Sequence, residues 1–176
     1  RDVEASDAPF RHWVGTNPHK GLGVLGFGTL DLHVCDRYTD ELPWLLPIHL
    51  DQEGINLMAV WAHVKTPQLR YVRVLHAALE HYGTFFRDTP TIMIGDFNSN
   101  AIWDKRHNER SHSLLVEKLA ARGLHSVYHV LEAQGHGSEA NPTWFMYRHH
   151  DKGYHLDYAF APSRGRSADR ARRQRR

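Results

Sequence analysis

An aspartate and an asparagine one residue apart, Asp96 and Asn98, follow an apolar run and a glycine in "TIMIGDFNSN", residues 91–100. Alternating residues of an extended segment point the same way, so the two side chains can reach one point. The carboxylate offers an acceptor or a metal-ligating oxygen, and the carboxamide can donate as well as accept. Such a pair suits orientation and deprotonation of a water, or a hard cation such as Mg2+. Gly95, just before them, lets the chain turn or another group come close. A capping Asp followed by a turn-forming Asn would look the same from these residues alone.

Two further residues could join them. His63 closes "LMAVWAH", a second apolar run, where an imidazole could meet a phosphate or simply sit at the wet end of a strand. Asp157 lies among aromatics in "YHLDYAF". A carboxylate inside an apolar strand is costly unless something hydrogen-bonds it, so a histidine or arginine partner is expected. A carboxylate that orients a histidine is a frequent catalytic device, and an ordinary structural pair is the other reading.

The elements that must position these residues alternate in type. "INLMAVWAHV", opened by Gly54, reads as a buried strand. Leu69, Val72, Leu75, Leu79, Tyr82 and Phe86 then recur at spacings of three and four, which predicts a helix over 67–87 with Pro67 at its start. The strand "TIMI" follows directly, and strand, helix, strand is the grammar of a layered α/β or α+β domain. "SHSLLVEKLAARG" reads as a second helix, Leu115 and Leu119 inward and Gly123 in the stop position. "GLGVLGFGTLDLHV" predicts two short strands broken at Gly26 and Gly28, and "LPWLLPIHL", with two prolines, an edge strand. "LHSVYHV", "TWFMY" and "YHLDYAFAP" read as three later strands, whereas residues 1–20 are polar, turn-rich and without period.

Composition bounds the class. The chain of 176 residues is 41% hydrophobic and 11% aromatic, enough for one globular domain. A single cysteine, Cys35, excludes an internal disulfide framework and suits a reducing, cytoplasmic setting. No charged-then-apolar leader and no long apolar run is present, so neither a signal peptide nor a membrane span is expected. The formal net charge of +2 comes from the end of the chain, where seven arginines lie between Arg164 and Arg176 against one acid, Asp169. Without that tail the chain is net acidic, so a basic nucleic-acid face is not expected of the folded part.

The order of the motifs resembles the endonuclease/exonuclease/phosphatase superfamily of metal-dependent phosphodiesterases and phosphomonoesterases. The resemblance runs from "WVGTNPHKGLGVLGFG" through "AVWAHVKT", "TIMIGDFNSNAIWD", "GLHSVYH" and "PTWF" to "YHLDYAFAP". G-D-F-N followed some sixty residues later by H-L-D-Y-x-F is a specific combination, stronger than either half. It implies a four-layered α/β (α+β) sandwich of two packed mixed sheets flanked by helices, incomplete at both termini. It also implies hydrolysis of phosphate esters by in-line attack of water, with Mg2+ or Mn2+ neutralising phosphoryl charge. By the same resemblance, Asp96 would be general base or metal-proximal carboxylate, with Asn98 holding the nucleophile or a phosphate oxygen. His63 would lie against the scissile phosphate, and Asp157 would orient a catalytic histidine. Asp96 and Asn98 are the implied metal-site residues, the substrate is a phosphate ester with DNA and RNA among the candidates, and a monomer is expected.

The departures matter as much. The family opens with a W-N strand and then a Q-E whose Glu is the main metal ligand; here Glu4 has the wrong context. It closes with an S-D-H that supplies the catalytic histidine, but "SAD" at Ser167 to Asp169 has no following His. Residues 1–163 are therefore expected to form a partial domain with doubtful activity of its own. Residues 164–176 read as a disordered arginine-rich tail whose composition resembles out-of-frame translation, with a basic arm as the alternative. A catalytically incompetent remnant or binding module of the same fold is the rival expectation, and a phosphatase or lipid phosphodiesterase branch the second. With the Glu absent, weak metal binding is expected unless another carboxylate such as Asp104 takes over.

Overall fold

A computed structural model describes residues 8–17, 19–106 and 110–163; the arginine-rich tail lies outside them. The strands are β1 (Phe10–Asn17), β2 (Lys20–Gly26), β3 (Leu32–Val34), β4 (Leu45–Leu50), β5 (Ile55–Trp61), β6 (Thr91–Asp96), β7 (Leu124–Ser126), β8 (Trp144–Phe145), β9 (Gly153–Tyr154) and β10 (Asp157–Pro162). The helices are α1 (Val72–His81), α2 (Gly83–Asp88), α3 (His112–Ala120) and α4 (Val127–Glu132). Six strands make a mixed sheet in the order β3-β4-β5-β6-β10-β7. Only β5 and β6 in it are parallel, and α1 and α2 form the crossover between them.

The run "INLMAVW" is apolar on both faces because the sheet is covered on both. On one side Met58, Val60, Met93, Tyr158 and Phe160 pack with Leu75, Leu79 and Phe86 of the crossover helices and with Leu115 and Leu119 of α3. On the other, Leu46, Ile48 and Ala59 meet Val14, Leu22 and Val24 of the β1–β2 hairpin, which is the second, smaller sheet. Helices, a mixed six-stranded sheet and a small sheet together make an α/β sandwich.

Several elements differ from their sequence-based expectation, each for a physical reason. β4 is internal rather than an edge strand, although it holds Pro47. The Pro47 carbonyl accepts from the Cys35 N–H, so this residue's backbone polar edge faces β3 just past the last paired residues there, Val34 and Ile48. A proline N without hydrogen costs no ladder bond at that place. β1 went unpredicted because its pattern is inverted: His12 turns partly inward while Trp13 lies outward, 51% exposed. The Trp13 indole occupies space over the hairpin, where a Cβ at Gly21 would come within 2.6 Å of the ring.

The helix expected over 67–87 starts later and is split. Residues 65–69 fold back on themselves, Leu69 N–H donating to Thr66 Oγ1 at 3.0 Å and Lys65 N–H to the Leu69 carbonyl at 3.0 Å. Tyr82, with φ −95° and ψ 31°, separates α1 from α2. "LHSVYHV" pairs with β10 only as far as Ser126 and then turns into α4, and "TWFMY" contributes only the two residues of β8.

Candidate active site

The sheet brings its parallel pair to one end, where β5 leads to His63 and β6 ends at Asp96. Gly95 permits this approach. Its φ is +136°, and a Cβ there would run into the Val60 carbonyl oxygen of the neighbouring strand. No other residue fits that backbone beside that carbonyl. Beyond Gly95 the strand ends are laced together. Ala62 N–H donates to the Asp96 carbonyl at 2.7 Å, and Asn98 Nδ2 donates to the Ala62 carbonyl at 3.0 Å.

Asn98 also fixes the carboxylate. Its backbone N–H donates to Asp96 Oδ1 at 2.8 Å and its Nδ2 to Asp96 Oδ2 at 2.9 Å. These bonds favour the ionised carboxylate, yet burial outweighs them, and with the nearby charge of Asp157 it raises the Asp96 pKa to about 6. A carboxylate poised near neutrality is suited to take a proton from water.

His63 is oriented from its other side. The Val64 N–H donates to Nδ1, which places the imidazole proton on Nε2. The ring packs edge-on against Trp61, centroids 4.5 Å apart, and tilted against Trp44 at 5.1 Å. Burial, helped by the charge of Lys20, lowers its pKa and keeps it neutral. Lys20 Nζ itself lies over the Trp61 ring, 5.4 Å from the centroid.

Asp157 opens β10 directly across from Asp96 in the antiparallel register. Its backbone N–H and that of Leu156 both donate to Thr143 Oγ1, at 3.1 and 3.0 Å. The Asp157 residue is exposed, not enclosed by aromatics as the sequence suggested, because it stands at the first residue of the strand. Among the described residues no histidine or arginine pairs with it; its charged neighbour is Asp96, of the same sign. Asp104, the possible substitute carboxylate, is engaged elsewhere: it accepts the N–H groups of His112 and Ser113 at the start of α3, at 2.8 and 3.2 Å.

His63, Asp96, Asn98 and Asp157 thus line one pocket of about 360 Å3, together with Lys20, Trp61, Tyr71, Trp144 and Leu156. The last five were not picked out from the sequence. Trp61 ends β5 two residues before His63 and Leu156 directly precedes Asp157, so both left a signal; Lys20, Tyr71 and Trp144 arrive from β2, the residue before α1 and β8, through contacts no local pattern encodes. Two neighbouring carboxylates with a carboxamide beside them are a donor set that fits a hard divalent cation keeping several of its waters.

A second polar group lies apart from this pocket. Glu139 accepts from His129 Nε2 at 3.0 Å, and the His136 ring stacks on that of His129 with centroids 3.5 Å apart. Sequence reading passed over these residues because histidines are common along the chain, and Glu139 sits in a turn-rich segment.

The fold has known counterparts. A 3′ phosphatase, NExo, from Neisseria, solved bound to a product DNA hairpin, matches with a TM-score of 0.61 and 17% identity over 87% of this chain and 66% of that one. The 3′–5′ exonuclease NExo from Neisseria meningitidis matches with a TM-score of 0.56 and 16% identity, over 87% and 66%. The endonuclease domain of TRAS1, a telomere-specific non-LTR retrotransposon, gives 0.51 and 16%, over 88% and 65%. The chain spans about two thirds of the length of these structures. No protein-family model matches it, and no curated sequence does. The chain shares the fold of these structures, an α/β sandwich of the endonuclease/exonuclease/phosphatase type. Among the described residues no helix is long and apolar enough to cross a membrane.

Proposed function

We propose that this chain is the central part of a divalent-metal-dependent phosphoesterase of nuclease type, and that the Asp96 pocket is its active site. The convergence of Asp96, Asn98, His63 and Asp157 from three separate strands supports the reading. In it, Asp96 accepts the proton of the attacking water and Asn98 holds Asp96 in place. His63 donates from Nε2 to a phosphate oxygen, and Lys20 supplies positive charge at the rim. A cation of the Mg2+ or Mn2+ kind, held by Asp96 with Asn98 and Asp157 beside it, would neutralise charge on the phosphoryl oxygens. The pocket volume suits a single nucleotide or a comparable phosphate ester.

A second reading, a binding module or remnant without turnover, is favoured by Asp157, which faces Asp96 and has no histidine or arginine paired with it among the described residues. One experiment separates them. The chain is assayed with Mg2+ and with Mn2+ on duplex DNA carrying a 3′ phosphate, on RNA and on an activated phosphodiester. It is then assayed again with added segments that carry W-N and Q-E before it and S-D-H after it. Turnover should be low in the first form and rise by about 10²–10⁴ or more in the second, since groups of this kind act as a unit. Asp96→Ala and Asn98→Ala should abolish the gain. An extended chain inert on every ester would overturn the hydrolase reading in favour of the remnant.

A further inference from the structure

The group around Glu139 has the makings of a metal site. It is built by α4 and the loop after it. Ala133, at φ +52°, ends the helix, and Gly137, at φ +89°, turns the chain back so that His136 and Glu139 face His129. The side chains of His129 and Glu139 are only 8% and 4% exposed. One ligand atom from each of His129, His136 and Glu139 lies within 4.8 Å of the others.

Each of the three is held from behind. Glu139 Oε2 accepts from Asn100 Nδ2 at 3.1 Å and from the Gly137 N–H at 3.0 Å. His129 Nδ1 meets Ser126 Oγ at 2.7 Å. His136 Nδ1 meets His112 Nε2 at 3.1 Å, and His112 Nδ1 meets Ser99 Oγ at 2.9 Å. Outer partners of this kind orient ligands and fix imidazole tautomers. Without an ion His129 Nε2–H donates to Glu139 Oε1, so a cation at that nitrogen calls for the other tautomer, with Nδ1–H donating to Ser126 Oγ.

A fourth histidine supplies an independent observation. His155 is 6% exposed, and its ring centroid lies 5.9 Å from that of His129. Its Nδ1 donates to the Asn141 carbonyl at 2.8 Å, which leaves Nε2 as the bare nitrogen, and that buried atom has no partner. A buried lone pair with no donor is a cost that a bound, hydrated cation would remove.

We propose that His129, His136 and Glu139 bind a borderline dication of the zinc class, with His155 Nε2 accepting a hydrogen bond from a water in the fourth position. Two imidazoles and a carboxylate select such an ion over Mg2+, which prefers oxygen and keeps its waters. Bonds of about 2.1 Å in a tetrahedron set ligand atoms roughly 3.4 Å apart, so binding lengthens the 3.0 Å contact between His129 Nε2 and Glu139 Oε1 and brings any wider pair inward. The consequence reaches the other pocket. Glu139 stands four residues before Thr143, which anchors Asp157, and five before Trp144 in the pocket wall. The cation would pin the loop that carries both.

The test uses the full chain, stripped of metal by chelation and titrated with Zn2+ and with Co2+. Calorimetry should give one equivalent bound with micromolar or tighter affinity, and Co2+ should show the visible bands of a four-coordinate site. Zn2+ should raise the melting temperature and Mg2+ should not do so through this site. His136→Ala and Glu139→Gln should each weaken Zn2+ binding by about 100-fold or more, with folding checked by circular dichroism. Glu139→Gln, which keeps the size and shape of the side chain, is the variant expected to stay folded. Asp96→Asn should leave Zn2+ binding unchanged, which separates this site from the proposed catalytic one. A folded wild-type chain that takes up no stoichiometric Zn2+, or one whose Zn2+ binding survives both substitutions, would overturn the assignment and leave a purely hydrogen-bonded cluster.

Discussion

At the scale of single residues, Asp96 carries opposing influences, and their balance is measurable. Two hydrogen bonds from Asn98 favour its charge; burial and the facing Asp157 oppose it and win, to about 6. The folded-state value lies above the ordinary 3.8, so between about pH 4 and pH 6 the native state binds a proton that the unfolded chain has released. The contribution of Asp96 to stability is therefore full below pH 4 and is lost as pH rises through 6. A carboxyl-carbon NMR titration should find its midpoint near pH 6. Asp157→Asn should lower that midpoint, since it removes a like charge, while burial keeps it above the ordinary value. A midpoint unmoved by Asp157→Asn would mean that the two carboxylates do not interact. Asp96, Asn98 and His63 were legible in the sequence because each sits at or just past an apolar strand with a change of character around it. The Asp157 environment was not. Tyr158 and Phe160, its aromatic neighbours on the same strand, pack on the helix side of the sheet, while it stands at the strand's open end.

At the scale of elements, the junction between β5 and β6 depends on one glycine. Gly95→Ala puts a Cβ against the Val60 carbonyl oxygen at a φ that L-residues rarely adopt, and both strands are held there by ladder bonds. The cost should exceed about 3 kcal/mol, enough to lower the melting temperature by roughly 6–12 °C or to leave the chain insoluble. Gly83 is the control. It opens α2 with an ordinary φ, and a Cβ there meets nothing within 4 Å. Gly83→Ala should be neutral or stabilise by up to about 1 kcal/mol. Denaturant melts of both variants against wild type decide the matter, and equal effects would contradict this account of Gly95. Elements with a strong period, such as the inward Leu115 and Leu119 of α3, were legible beforehand. Those fixed by tertiary contact were not: β4 accepts Pro47 only because β3 is short, and β1 hides its alternation behind an outward Trp13.

At the scale of the whole molecule, charge divides the chain in two. The part before residue 164 is net acidic, and seven arginines with one acid follow. The order of motifs across residues 13–162 made the fold readable despite 16–17% identity to its structural counterparts. The tail took no part in that pattern. Its last neighbour in the fold is Ser163, whose N–H donates to the Gly123 carbonyl at 3.4 Å, so a chain ending at Ser163 keeps every sheet and core contact described. Its melting temperature should match that of the full chain within about 2 °C, a change below roughly 1 kcal/mol for a chain of this size. Binding to duplex DNA should respond differently. Each phosphate neutralised contributes about −0.9 to the slope of log affinity against log salt, so seven arginines can supply a slope of up to roughly −6. Removing them should leave a shallow slope of about −1 to −2, set by Lys20 at the pocket and the scattered lysines and arginines elsewhere on the body. The full and shortened chains are compared by fluorescence anisotropy on one duplex across a series of salt concentrations. If the shortened chain keeps the steep slope, a basic face exists on the folded body, and nucleic acid would be held by the domain itself. If it loses the slope but keeps the melting temperature, the tail is a separable arm, and any sequence or structure preference must come from the pocket.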